Sequence, residues 1–167
     1  MLKKQVLTKL NKWDESKPGF IEADTVAHCG SSASGQFVLT LNVVDIATGW
    51  TEQRAVWGKG RQGVFDAIKS ITEALPFDVL GFDCDNGGEL LNYMLLEYFT
   101  NKKNPVQYTR SREYKKNDNS HIEEKNWTHV RQFIGYQRFD NIETVGMLNN
   151  LYLSQCPFSN CLLFNCF

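Results

Sequence analysis

Three acidic residues stand where a carboxylate needs a physical reason. Asp24 lies inside the apolar stretch GFIEADTVAH, Asp85 closes the strand-like run VLGFDCD, and Glu123 sits in the helical stretch HIEEKNWTHV. They are 61 and 38 residues apart, so only a folded chain can unite them. A carboxylate at a strand end or on an inward helix face is costly unless its charge is compensated. The compensation this set asks for is a cation, and a hard ion such as Mg²⁺ prefers carboxylate oxygen to imidazole or thiolate.

Around these acids run four short motifs, DTVAHCG, DxxTGW (from Asp45), DNGGE and HIEEKNW. In this order and at these distances they resemble the catalytic core of bacterial insertion-sequence transposases, the D-D-E group of the retroviral-integrase superfamily. The resemblance runs from about Pro18 to about Leu153. It implies a DNA transposase core that cleaves phosphodiesters and transfers strands with two Mg²⁺ ions, Mn²⁺ being an acceptable substitute. Such a pair, roughly 3.5 to 4 Å apart, activates the attacking oxygen and stabilises the leaving 3′ oxygen in an in-line displacement. Carried over by motif, Asp24 bridges both metals while Asp85 and Glu123 each hold one. No nucleophilic side chain is needed.

Two of these assignments required a choice between neighbours. Helical spacing puts Glu123 on a stripe with Trp127, Val130 and Ile134, and Glu124 with Thr128 and Arg131, so Glu123 is expected to face the sheet. Asp83 shares a strand face with Asp85, but the motif places the ligand directly before Asn86-Gly87. Asp83 is then either a supporting group or a carboxylate satisfied by neighbouring backbone or a lysine. Glu89, in the first turn of the next helix, favours the helix dipole. Asn126, three residues after Glu123, meets the DNA backbone or binds water. His28, Cys29, Cys84 and His121 offer zinc ligands, yet without CxxC or HxxxH spacing; the histidines fit the rim of the site and the cysteines a buried role. A Cys84 nucleophile is disfavoured because two flanking carboxylates raise a thiol pKa.

Charge is unevenly distributed. Residues 101 to 140 carry nine Lys or Arg and five Asp or Glu, a net of +4 against −1 for the whole chain. Lys102, Lys103, Arg110, Arg112, Lys115, Lys116, Lys125, Arg131 and Arg138 read either as a solvated face or as a phosphate-contacting path beside the Glu123 helix. Lys115, Lys116, Asn126, Arg110, Arg112 and Arg131 are the expected DNA contacts. DNA is thus the expected partner, together with a second copy or a full-length transposase. Five cysteines, no secretory signal and no bilayer-length apolar span suggest a cytoplasmic protein with reduced thiols, nucleoid-associated when on DNA and without a membrane partner.

The elements that must position the acids follow from periodicity. Residues 19 to 28, 37 to 45 and 50 to 57 read as strands, the last two joined as a hairpin through Thr48-Gly49. A helix over Arg61 to Leu75, a strand over 78 to 84, a helix over Gly88 to Asn101 and a strand over Val106 to Arg110 come next, then helices near Ser120 to Ile134 and Asn141 to Leu153. This order predicts an α/β, ribonuclease H-like fold: a five-stranded mixed sheet, three antiparallel strands then two parallel, with helices on both faces. Residues 1 to 18 read as an N-terminal extension, 19 to 154 as the integrase-like core, and 155 to 167 as an apolar, cysteine-containing tail, either packed or the mark of an out-of-frame or truncated end. Too few residues precede the core for a helix-turn-helix reader, which leaves a second expectation open: a catalytically silent transposase remnant that binds DNA or a full-length partner. A nuclease or resolvase on the same fold is a third.

Overall fold

The computed structural model describes residues 2–8, 13–112 and 120–164 of the chain. Its centre is a six-stranded sheet. A helical turn, α1 (Leu2–Gln5), leads into β1 (Leu7–Thr8); then come β2 (Phe20–Ala27), β3 (Val38–Asp45), β4 (Thr51–Trp57), α2 (Arg61–Ala74), β5 (Gly81–Cys84), α3 (Tyr93–Thr100) and β6 (Gln107–Arg110). After residue 119 the chain forms α4 (Ser120–Lys125), a π-helical turn (Asn126–Arg131), α5 (Gln132–Ile134) and α6 (Glu143–Phe164). Strand order is β1-β6-β5-β2-β3-β4, antiparallel across β2, β3 and β4, and parallel from β2 through β5 and β6 to β1.

The expected topology is present with one strand more than predicted. The additional strand, β1, is only two residues long and carries no alternating pattern; it exists because its backbone pairs with β6. Two helix boundaries also moved. The helix predicted from Gly88 starts at Tyr93, where Asn92 accepts a hydrogen bond from the Leu95 N–H and so caps it. The last helix continues to Phe164 rather than stopping at Leu153.

The two faces of the sheet differ in kind. On one, Ile21, Ala23, Leu39, Leu41, Val43, Val56 and Phe82 pack against Val64, Ile68 and Ile71 of α2 and Leu95 and Phe99 of α3, with Phe82 stacked on Phe99 at 4.6 Å. Burying each of the larger of these side chains, Ala23 excepted, is worth about 1.5–3 kcal/mol. The opposite face, under α4 and α6, carries Glu22, Asp24, Thr40, Asn42, Gln53, Asp83 and Thr109. Only its far corner, where Val38 and Ala55 meet Leu148, Tyr152 and Cys156, is an apolar cluster.

DxxTGW proves to be a turn lock. Asp45 accepts from the Gly19 N–H at 2.7 Å with one oxygen, and from the Thr48 N–H and hydroxyl at 2.9 and 2.7 Å with the other. Gly49, at φ 72°, takes the left-handed conformation that lets β3 turn into β4.

Helix α6 covers the outer edge of the sheet. Asn149 accepts from the Ala55 N–H and donates to its carbonyl, and Asn160 does the same for Thr51. Two side-chain amides thereby satisfy an edge strand that would otherwise offer its backbone to another chain. Asn160 is buried, so the tail is packed at least this far. Asn160→Ala leaves two buried backbone groups of Thr51 unpaired, and we expect a loss of about 2–4 kcal/mol in urea unfolding. A loss below about 0.5 kcal/mol, the ordinary surface value, would show that the end of α6 is not docked.

Candidate active site

Asp24 projects from the middle of β2, the strand flanked by β3 and β5, onto the polar face. Its Oδ1 accepts from the Thr25 N–H at 2.7 Å and its Oδ2 from the Asn126 side-chain amide at 2.8 Å. Both donors are neutral. Burial raises its pKa to about 6, and the charges of Asp85 and Glu123 push in the same direction. Two of the expected acids thus act on the third across three separate elements.

Asp85 leaves the end of β5 one strand away. Its Oδ1 accepts from the Gly87 N–H at 2.9 Å, and a Cβ at Gly87 would stand 2.9 Å from that oxygen and 3.0 Å from the Glu89 carboxylate. A side chain at this position would have to displace both carboxylates from their present places. Between them Asn86 fastens the turn to the end of β6, donating to the Ser111 carbonyl and accepting from Arg110. Burial raises the Asp85 pKa, Glu89 adds to the rise, and Lys59 opposes it.

Glu123 is solvent-exposed, and so is Glu124. The predicted stripe does not hold: Ile122 and Val130 are the buried residues, and Trp127 is half exposed. The π turn from Asn126 to Arg131 is the reason, because it widens the helix by one residue and breaks the 3.6 period on which the stripe rested. Electrostatics still separates the two glutamates, since Glu123 acts on Asp24 while Glu124 acts on His129. What places the helix is buried Glu22, two residues before Asp24, whose carboxylate accepts from the Ile122 N–H at 3.1 Å.

Among the described residues, no three carboxylate, imidazole or thiolate groups stand close enough to hold a metal ion as placed. The acids bear on one another through charge, while Asn126 occupies an oxygen of Asp24. The donor set is nevertheless oxygen-only, half-buried and short of positive charge, which is the chemistry that suits a hard divalent cation.

Other expected residues have different surroundings. Asp83 is buried and accepts from the Thr109 and Ser111 hydroxyls at 2.5 and 3.5 Å. His28 is not at the rim: it is fully buried, contacts the Thr40 hydroxyl at 2.8 Å, and burial lowers its pKa to about 4. His121 is exposed, whereas Cys84 is fully buried with its thiol pKa pushed up by desolvation and the flanking carboxylates. Among the described residues, His28, Cys29, Cys84 and His121 are not gathered into one group.

The basic flank is partly structural. Arg131 donates to the Ala27 and Gly135 carbonyls and lies 4.7 Å from the Tyr136 ring. Arg138 ties down the carbonyls of Cys29, Ser32, Ser34 and Gln36. Arg110 and Arg112 are half-buried, and Lys115 and Lys116 lie outside the described residues. Sequence reasoning missed Lys59, an exposed cation whose charge reaches Asp85. The Gly58-Lys59-Gly60 turn before α2 was the available signal. Glu89, expected in a helix's first turn, lies ahead of α3, which starts at Tyr93, and accepts from the Thr25 hydroxyl at 3.3 Å.

Asp24 generates a pH prediction. A carboxyl raised to about 6 in the fold from about 3.9 unfolded stabilises the metal-free protein below pH 4, and that contribution is lost as pH rises through 6. At neutral pH it costs on the order of 2–3 kcal/mol. Asp24→Asn should remove this slope between pH 4 and 7, and raise the metal-free melting temperature at pH 7 relative to the parent. His28 acts oppositely, its stabilisation being lost as pH falls from 6.5 through 4, and the substitution leaves that part untouched. Parallel pH–stability curves for the two proteins would refute the assignment.

No protein-family model matches the chain. Over 140 residues it is 38% identical to the uncharacterized protein y4rM of Sinorhizobium fredii (strain NBRC 101917 / NGR234), covering 84% of this chain but 39% of that protein. In structure it is similar to a chain of the simian T-cell lymphotropic virus intasome solved by cryo-EM in complex with the PP2A regulatory subunit B56 gamma, at a TM-score of 0.57 and 12% identity over 67% of this chain and 38% of that one. It is also similar to the catalytic core domain of BIV integrase, at a TM-score of 0.50 and 14% identity over 69% of this chain and 72% of that one. The fold is that of an integrase catalytic core, a ribonuclease H-like mixed α/β sheet.

Proposed function

We propose that the chain is the catalytic core of a metal-dependent polynucleotidyl transferase that cleaves DNA phosphodiesters and joins the freed 3′ end to target DNA, as in transposition or integration. One observation carries the reading: on an integrase-core fold, acids from mid-β2, the end of β5 and α4 meet electrostatically at Asp24. Asp24, Asp85 and Glu123 would hold two Mg²⁺ ions, which supply the activated oxygen nucleophile and neutralise the leaving oxygen.

The chain's own groups define the rest. Asp24 stays poised near pH 6, so cation binding must displace a proton from part of the population at mildly acid pH. Lys59 is the exposed cation beside Asp85 and is suited to a DNA phosphate. Among the described residues no helix is long and apolar enough to cross a membrane. The chain covers 39% of its relative y4rM, so end recognition and assembly belong to the proposal for a longer protein rather than to this core.

The test is a Mg²⁺-dependent nicking and strand-transfer assay. Asp24→Asn, Asp85→Asn and Glu123→Gln are each expected to abolish both products while retaining the fold. A variant with full activity would remove its residue from the site. Cleavage without strand transfer would make the protein a nuclease of the same fold, and DNA binding without any cleavage would favour a silent remnant. Lys59→Ala should weaken binding equally across DNA sequences and reduce the salt slope by about 0.9. An unchanged slope would take Lys59 off the DNA path.

A further inference from the structure

Asp24, Asn42 and Gln53 are ladder partners on three adjacent antiparallel strands, all on the face beneath α4 and α6. Asn42 and Gln53 are 0% exposed, where apolar side chains would pack without any hydrogen-bonding demand. Their amides are chained. Gln53 Nε2 donates to Asn42 Oδ1 at 3.0 Å, Asn42 Nδ2 donates to Asn126 Oδ1 at 3.0 Å, and Asn126 Nδ2 donates to Asp24 Oδ2 at 2.8 Å. At the far end the Cys156 thiol of α6 donates to Gln53 Oε1 at 2.7 Å.

The direction of this chain follows from chemistry at one end. An ionised carboxylate accepts and cannot donate, so Asn126 must turn its NH₂ toward Asp24 and its oxygen away. That oxygen needs a donor, which orients Asn42; the Asn42 oxygen then orients Gln53. The series ends on an oxygen, Gln53 Oε1, and requires one last proton donor. Cys156 supplies it, because burial and the charge of Glu52 push its thiol up to about 11 and keep it protonated at neutral pH. Aligned amide dipoles strengthen one another in a low-dielectric interior.

We propose that Gln53, Asn42 and Asn126 form a one-way amide relay, closed by the Cys156 thiol, which positions the Asp24 carboxylate for a divalent cation and couples it to the docking of α6. This rests on the proposed function for the identity of the ligand, but the relay itself exists in the metal-free protein. Asn42, Gln53 and Cys156 are positioning residues that act through Asn126 and Asp24.

The experiment combines side-chain amide NMR of the metal-free protein with Mn²⁺ titration calorimetry in the absence of DNA. Cys156→Val removes the terminal donor at similar volume, and Gln53→Met breaks the next link; Cys156→Ser restores a donor. The valine and methionine variants should shift the Asn126 side-chain amide signals, and weaken Mn²⁺ binding by about tenfold, the lower end for groups that orient a metal ligand. The serine variant should stay within about twofold of the parent. The relay is refuted if folded Cys156→Val and Gln53→Met keep the parental Asn126 signals and Mn²⁺ affinity, or if Cys156→Ser is as impaired as Cys156→Val. Asp24→Asn separates the two readings. Its loss of Mn²⁺ binding with unaffected relay variants sinks the relay alone; parental Mn²⁺ binding by Asp24→Asn sinks the metal role of Asp24, and the Asn126 signals then judge the relay independently.

Discussion

A carboxylate in the middle of a central strand is the constraint around which this protein is arranged. Asp24 sits where β2 has β3 on one side and β5 on the other. Taking it into the fold raises its pKa to about 6, and two further acids are brought to bear on it rather than a lysine or arginine. A structure selected for stability alone would place a hydrophobic residue there, as it does at Ile21 and Ala23 on the other side of the same strand. Under the proposed function, the missing positive charge is a bound cation.

The division of the sheet into two chemically different faces follows from this. The α2–α3 face is apolar and supplies the packing energy, so the opposite face is released from that duty. Its residues instead satisfy one another. Glu22 holds the start of α4, the Thr109 and Ser111 hydroxyls satisfy Asp83, and the amides of Asn42, Gln53 and Asn126 meet Asp24. These pairings matter because an unpaired buried polar group costs about 1–3 kcal/mol. Helix α6 then closes both the face and the edge, using Asn149 and Asn160 on the backbone of β4.

The π turn after Glu123 connects local sequence to site geometry. The chain widens into a π turn over residues 126–131, with Ile122 before it and Val130 within it both buried. The same turn brings the Asn126 amide to Asp24 and Arg131 to the carbonyl of Ala27, so the middle and the C-terminal end of β2 are held by one irregular segment. Irregularity of this kind is frequent at functional sites because it re-aims side chains that a regular helix would point elsewhere.

What the sequence determined by itself is what depends on nearest neighbours and simple periods. Alternating and continuous apolar runs delimit β2 to β6, the i, i+3, i+4 stripe defines α2, and the Asn86-Gly87 pair marks the turn that ends β5. The motif order was enough to name Asp24, Asp85 and Glu123 as candidates before any coordinates. Tertiary structure decided the rest. Leu7 and Thr8 become a strand only because β6 offers a free edge, and the helix after Ser120 widens into a π turn that no local period announces. His28 is buried rather than at the rim because Thr40 and Phe139 enclose it. Asn42, Gln53 and Cys156, separated by 11 and 103 residues along the chain, carry no local pattern at all. Their role arises from strand register and helix docking, and those are set by the summed packing of the whole sheet rather than by any segment that can be read alone.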